Sequence, residues 1–372
     1  MLIESSVYLL TAIGLAIGVI AGFVMHRSDF CIAGMFRDIF LFRSIFKLRS
    51  LVLNIAVTMF LFEIARFAGF LPLYPFPLLG PATAAGMVGG FLFGVGMVLA
   101  GGCVVGTLYK MGSGSVLSAV AFLGLLGGST IYAEFHPWWK SVLGASTLFA
   151  GKKTLPLYLE SSPEPFVLIS LLLLTLLLFR WFKGGLMGRQ MYAKGEIQLW
   201  HAALLLSLLS LASYALIGMP IGITTAYAKA GGMLMSIVAP EHLQSLAFFA
   251  SRPLSCQNPL TGYPLAGGPG PALDGIALVQ FPLIGGIVAG GAISALSVGE
   301  FRIRFRIPIR QYLSALAGGC IMGVASRMAP GCNVWHIFGG LPILALSSIF
   351  FVIGLLPGAY AGSRVLERWV IR

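Results

Sequence analysis

Apolar stretches of about 20 residues recur along the whole of this 372-residue chain. About 20 residues is the length at which an α-helix crosses the hydrocarbon core of a bilayer. Lipid offers no partner to a backbone N–H or C=O, so each spanning segment satisfies its own polar groups, and helices do this. The stretches fall at roughly 7–26, 50–71, 84–101, 114–134, 165–182, 197–217, 276–298, 311–326 and 342–363. They predict an all-α polytopic membrane protein of about nine transmembrane helices. Composition agrees, since 58% of residues are apolar and 10% charged, against about 25% charged in soluble domains. No soluble domain is visible, and residues 1–372 read as a single transmembrane domain. The N-terminal segment lacks a basic start and an obvious cleavage site, and reads as a retained first helix.

Shorter apolar pieces at 31–42, 103–111, 221–237 and 332–341 are too brief to cross. Such pieces are candidates for re-entrant half-helices.

The net charge is +12. Basic residues gather in four places: Arg27, Arg37, Arg43, Lys47 and Arg49; Arg180, Lys183, Arg189 and Lys194; Arg302, Arg304, Arg306 and Arg310; and Arg364, Arg368 and Arg372. With nine spans these clusters fall on one side. The positive-inside tendency makes that side cytoplasmic, with the N-terminus outside and the C-terminus inside. The opposite loops hold Lys140, Lys152 and Lys153 beside "HPWWK" at 136–140, whose tryptophans suit a headgroup belt. No compact basic domain exists to hold nucleic acid.

The five cysteines are Cys31, Cys103, Cys256, Cys320 and Cys332. None forms a CxxC pair, so neither a zinc nor a thioredoxin-like site is indicated. Three share a setting. Cys31 has Gly22 nine residues before it and Gly18 thirteen before. Cys103 has Gly94 and Gly90 at the same offsets, and Cys332 has Gly323 and Gly319. Small residues at this spacing let membrane helices pack closely. Each such pair lies on the helix leading into a cysteine break. Gly218 and Gly222 suggest a fourth copy, with Gly231 at the cysteine position. The helices leading to Cys31 and Cys103 run inward, and those leading to Gly231 and Cys332 run outward. This predicts an inverted repeat between a first half of about 1–150 and a second of about 195–372, an arrangement that places transporter sites near the midplane.

Cys103 and Cys332 each open a short apolar segment, after Gly101–Gly102 and after Pro330–Gly331. The free N–H groups and positive dipole end of a half-helix form an anion site without a buried cation. A hard oxyanion alone would more naturally meet Ser, Thr or Arg. A thiol is a weak donor and a soft, polarizable partner. It suits the terminal sulfur of thiosulfate, a sulfide or polysulfide, or selenium.

Here the residues point to a family. "RSDFCIAGMFRD", "FGVGMVLAGGCVVGTLYKMGSG" and "GVASRMAPGCNVW" resemble the signatures of the YeeE/YedE family of sulfur-compound transporters. The resemblance covers both halves. It implies nine spans plus short helices entering from both faces, in the plasma (inner) membrane of a bacterium or archaeon. It implies thiosulfate uptake past Cys31, Cys103 and Cys332, with S–H···S contacts passing the ion along. It also suggests a cytoplasmic sulfur-carrier or sulfurtransferase protein as partner. Some members are associated with selenium, which stays open as an alternative substrate.

Around the thiols, Gly101, Gly102, Gly331 and Asn333 are candidate supports for the anion. Arg327 on the external approach attracts the ion or snorkels to the interface. Asn333 donates to the ion or caps the half-helix. Cys320 reads as helix packing and Cys256 as a surface-loop thiol. Arg37 with Asp38, and Glu63 with Arg66, read as local ion pairs, while Glu63 is also a candidate proton-coupling acid. A membrane thiol enzyme is the competing class. It would need CxxC, CxxCH or a nucleotide-binding glycine motif, and the sequence shows none of these. No cofactor is expected.

Overall fold

The computed structural model describes residues 2–371 apart from 77, 150 and 192–194. Lys194 and Arg372 of the basic clusters lie outside the described residues. The chain runs α1 (Leu2–Ser28), α2 (Ile32–Phe42), α3 (Phe46–Phe67), α4 (Ala84–Leu99), α5 (Val104–Gly112), α6 (Val116–Ala145), α7 (Leu155–Tyr158) and α8 (Glu164–Lys183). Then come α9 (Leu199–Ile217), α10 (Thr224–Val238), α11 (Pro240–Ser245), α12 (Ala247–Ala250) and an antiparallel hairpin of β1 (Leu254–Gln257) and β2 (Pro264–Gly267). It finishes with α13 (Gly275–Ser297), α14 (Ile309–Met328), a short helix over 333–343 and α15 (Leu346–Val365). The short helix includes a π-helical turn, Trp335–Gly340.

Several starts follow from side-chain caps. Thr83, Ser115 and Asp274 accept from backbone N–H groups of Gly86, Ser118 and Ala277, satisfying donors that the first turn cannot. The half-helices expected at 31–42, 103–111 and 221–237 are α2, α5 and α10, and the one expected at 332–341 is the short helix 333–343.

Eight stretches among the described residues are long and apolar enough to cross a membrane. The chain is therefore a multi-pass membrane protein. The ninth expected span, α14, misses that measure because its 20 residues include Arg310, Gln311 and Arg327. It is nevertheless packed along α4 and α6: Gly96 and Gly89 of α4 meet its Met322 and the following Ala329, and Gly124 and Gly128 of α6 meet its Leu316 and Cys320. Helix α6 runs to Ala145, eleven residues past the expected end near 134. "HPWWK" is thus helix, not loop. Trp138 is exposed, whereas Trp139 is buried and its Nε1 donates to the Met328 carbonyl at 3.0 Å.

The long helices pair in parallel. Gly14, Gly18 and Gly22 of α1 face Val279, Leu283 and Ile287 of α13 in the same order. Gly90 and Gly94 of α4 likewise face Phe351 and Leu355 of α15. In α3 and α9, Asn54 donates to the Ala203 carbonyl at 3.0 Å and Phe62 meets Tyr214 further along. Helix α6 pairs in parallel with α14, and α4 crosses α14 in the opposite sense. These directions are those of nine alternating spans. A β-carbon on Gly22 would collide with the Ile287 carbonyl, and one on Gly128 with that of Cys320. Only glycine permits such backbone contact.

The basic segments meet at one end of the bundle. Arg27 Nη1 donates to the Gly195 carbonyl at 2.8 Å, and Arg49 Nη1 to that of Leu186 at 2.7 Å.

The fourth glycine copy is not placed as expected. Gly218 caps the C-terminus of α9 at φ +92°, and Gly222 lies in the break itself. Gly231 sits inside α10 against Thr130. The residue before α10, where Cys31 stands before α2, is Ile223. Spacing of glycines alone cannot tell a packing helix from a chain reversal.

Candidate functional site

The three thiols occupy the same kind of position. Cys31 is the N-cap of α2, Cys103 that of α5, and Cys332 immediately precedes the short helix 333–343. A capping sulfur accepts where a serine oxygen otherwise would. Cys103 Sγ accepts from the Gly106 N–H at 3.2 Å. Cys332 Sγ faces the N–H groups of Val334 and Trp335. All three are buried, at 2%, 0% and 1% exposure. Cys31 accepts no such bond from α2; what the three share is a place at the positive end of a short helix.

Two thiols share one neighbour. Gly106 lies against both Cys31 and Cys103. A β-carbon there would lie 3.0 Å from Cys31 Sγ and 3.2 Å from Cys103 Sγ. The Tyr109 side chain faces Cys31 from α5. Cys332 stands apart from this pair, within electrostatic reach of Cys103, and Tyr227 of α10 lies within reach of both.

The glycines of the breaks are required by their backbone. Gly101 has φ +70° and Gly331 φ +138°, in the left-handed half of the map. A β-carbon on Gly331 would also lie 2.6 Å from Trp335 Cδ1. Gly102 packs against the start of α5 at Thr107, and Lys110 Nζ donates to the Gly101 carbonyl at 2.9 Å.

Arg327 does not snorkel outward. Its Nη2 donates to Thr224 Oγ1 at the start of α10, and its buried Nε has no partner. Among the described residues no carboxylate forms an ion pair with it. The guanidinium lines a cavity of about 390 Å³ with His136, Lys140, Thr225 and Gln280, and Gly331 and Trp335 bring that cavity beside Cys332. A smaller cavity of about 190 Å³ at the basic end is lined by His26, Arg27, Asp29, Arg189, Glu196 and Glu300.

Asn333 caps nothing: it is fully buried and neither side-chain polar atom has a partner. The cap is Cys332 itself. Cys256 is not a surface thiol; it is buried in β1, paired with Leu265 across the hairpin. Cys320 is half-buried in α14 against α6. Glu63 is held by Arg66 at 2.6 Å, which also reaches Glu164 at 2.7 Å. Asp38 pairs with Arg37 at 2.9 Å and Lys47 at 3.5 Å. Among the described residues no three His, Cys, Asp or Glu side chains group as metal ligands.

Tyr227, Gln280 and Trp335 border this region, and of these only Gln280 carries a signal in the sequence. Gln280, in the middle of an apolar span, accepts from the Ala226 N–H at 2.8 Å and so caps α10 from another helix. A lone amide in a transmembrane run was the available clue.

A family model described as sulphur transport matches residues 27–361. The chain is 30% identical over 353 residues to the thiosulfate transporter TsuA of Spirochaeta thermophila, covering 92% of this chain and 96% of that protein. It is 36% identical over 126 residues to the thiosulfate transporter TsuA of Escherichia coli K12, covering 33% and 34%. The probable transporter YedE of Escherichia coli K12 is 33% identical over 125 residues, covering 33% and 30%.

Proposed function

The chain belongs to the sulphur-transport family, and from that premise we propose that it takes up thiosulfate across the inner membrane past Cys332, Cys103 and Cys31. The observation that carries this reading is that three buried thiols stand at the starts of three short helices, two of them against the same glycine, Gly106. A relative matched over nearly the full length of both chains bears the name of a thiosulfate transporter.

The chemistry fits a small divalent anion with one soft end. Leaving water costs the ion its hydration, and helix N-termini replace part of it with fixed N–H donors. Neutral thiols add weak S–H donors matched to the terminal sulfur. A thiolate would repel the dianion. The ion enters the Arg327 cavity, passes Cys332 and reaches the Cys103–Cys31 pair above the basic end. The basic end faces the cytoplasm by the positive-inside tendency, so the N-terminus lies outside and the C-terminus inside. A cytoplasmic sulfur-carrier or sulfurtransferase protein receives the ion there.

The two halves act as one transport unit built on an inverted repeat. Support comes from matched pairings: α1 packs on α13 as α9 packs on α3, and α4 on α15 as α14 on α6. Cys103 before α5 then corresponds to Cys332 before the short helix.

The test is thiosulfate uptake in cells with no other sulfur source, in wild type and in Cys103→Ser and Cys332→Ser. Serine keeps a donor and a cap and removes only the soft atom. Uptake is expected to fall at least ~10-fold, the scale of one lost contact to a charged group. Undiminished uptake in both variants would refute the role of the thiols.

A further inference from the structure

Buried polar side chains are normally hydrogen-bonded, and leaving one unsatisfied costs about 1–3 kcal/mol. Along the thiols this rule is broken repeatedly: Thr107, Tyr109, Tyr227 and Asn333 all hold buried polar atoms without partners. A helical serine or threonine can turn its hydroxyl to a carbonyl one turn back, as Ser28 and Thr130 do here. A tyrosine phenol and an asparagine amide have no such local refuge.

Tyr227 and Asn333 stand out by position. Tyr227 is 1% exposed, its ring set edge-on against Phe122 with centroids 5.5 Å apart. It lies within reach of both Cys332 and Cys103, on the one half-helix that has no capping cysteine. Asn333 follows Cys332 and leaves both amide atoms unpaired at 0% exposure. The start of α10 meets the short helix here, Gly222 lying against Trp335 and Arg327 donating to Thr224, so two neutral donors stand where α10 and the Cys332 break come together.

We propose that Tyr227 and Asn333 form the oxygen-binding half of a site between Cys332 and Cys103. The phenol O–H and the amide N–H donate to the sulfonate oxygens of the ion, while the thiols meet its terminal sulfur. The site then reads both ends of one molecule. Sulfide offers no oxygen to the first pair, and sulfate offers no soft atom to the second. Substrate choice is a matter of these two side chains as much as of the cysteines. This inference rests on the thiosulfate reading above.

The experiment uses the full-length transporter, with thiosulfate as probe, in Tyr227→Phe and Asn333→Ala. Phenylalanine keeps the ring against Phe122 and removes one oxygen. Two readouts are taken: KM for uptake, and the rise in thermal midpoint of the purified protein on adding thiosulfate. KM is expected to rise about tenfold in Tyr227→Phe, since a hydrogen bond to a charged group is lost, and the thermal rise is expected to shrink in both variants. A purely structural tyrosine would lower the midpoint without ligand and leave KM and the ligand-induced rise intact, which overturns the proposal. Wild type that takes up no thiosulfate would instead refute the function proposed above. If Asn333→Ala yields no folded protein, Tyr227→Phe decides alone.

Discussion

Where α14 finishes, Arg327 and Lys140 line a cavity of about 390 Å³ whose described lining contains no carboxylate. At the other end of the molecule Lys47 lies 2.6 Å from Asp29 and 3.5 Å from Asp38, and the cavity there mixes Arg27 and Arg189 with Asp29, Glu196 and Glu300. The first cavity presents positive charge that its own lining does not cancel; the second sets acids among its cations. Lys229 shows that the first end is not short of means. Its buried ammonium meets Asp274 at 2.6 Å and two carbonyls, of Gly270 and Ala272. In the uptake proposed above, Arg327 is where the anion completes the charge, and the cavity that carries its own acids is where the ion leaves.

The sharpest way to break this contrast is Arg327→Glu. A carboxylate in the cavity repels the ion, and like charges brought together cost several kcal/mol. Thiosulfate uptake at low substrate should drop ~100-fold with folded protein still in the membrane. Next in size, Arg327→Gln removes the charge and keeps a donor toward Thr224. KM should rise about tenfold, and its dependence on ionic strength should flatten, because salt screens a charge and not an amide. At the other end Lys47→Met removes the cation shared by Asp29 and Asp38, leaving Asp38 with Arg37. Exit should slow, with maximal uptake reduced by roughly 2–5-fold and KM little changed, since a partly exposed pair is worth about 1 kcal/mol. The smallest effect belongs to Cys256→Ala, in the hairpin away from the capping thiols. Uptake should stay within about twofold and the thermal midpoint within a few degrees, as for substitutions outside functional features. Equal KM changes from Arg327→Gln and Lys47→Met would erase the distinction between the two ends.

Much of the architecture was legible because hydropathy and helix length answer to the same lipid thickness. The starts of α2, α5 and α10 fall within three residues of the expected ones, since glycine and cysteine mark the breaks. Hydropathy was weakest near helix ends. Helix α14 reads as a poor span because Arg310 and Gln311 open it and Arg327 closes it, although Leu313 and Leu316 between them are exposed as a span's are. Helix α6 continues through Pro137 because Trp139 finds the Met328 carbonyl. The thiols were readable from repeat spacing, but their unequal grouping was not, because Cys31 comes beside Gly106 and Cys103 only through packing of the start of α2 against the start of α5. Tyr227 and Asn333 were hidden for a related reason. What distinguishes them is a missing partner, and a sequence does not record which partners fail to arrive.

The glycine seams of α1 with α13, α4 with α15 and α6 with α14 have a mechanical meaning. Backbones meshed so closely that a methyl group would not fit have no free stroke along their axes. Sliding by one turn would drive a side chain of one helix through the carbonyls of the other. The frame is therefore stiff, and a rocking cycle between rigid halves would have to tear three such seams at once. Motion falls instead to what the seams leave free, the swing of individual side chains between rotamers, which is a nanosecond event for an unhindered group. A transporter of this build works as a fixed lattice with moving latches, and stapling α1 to α13 would leave its rate untouched.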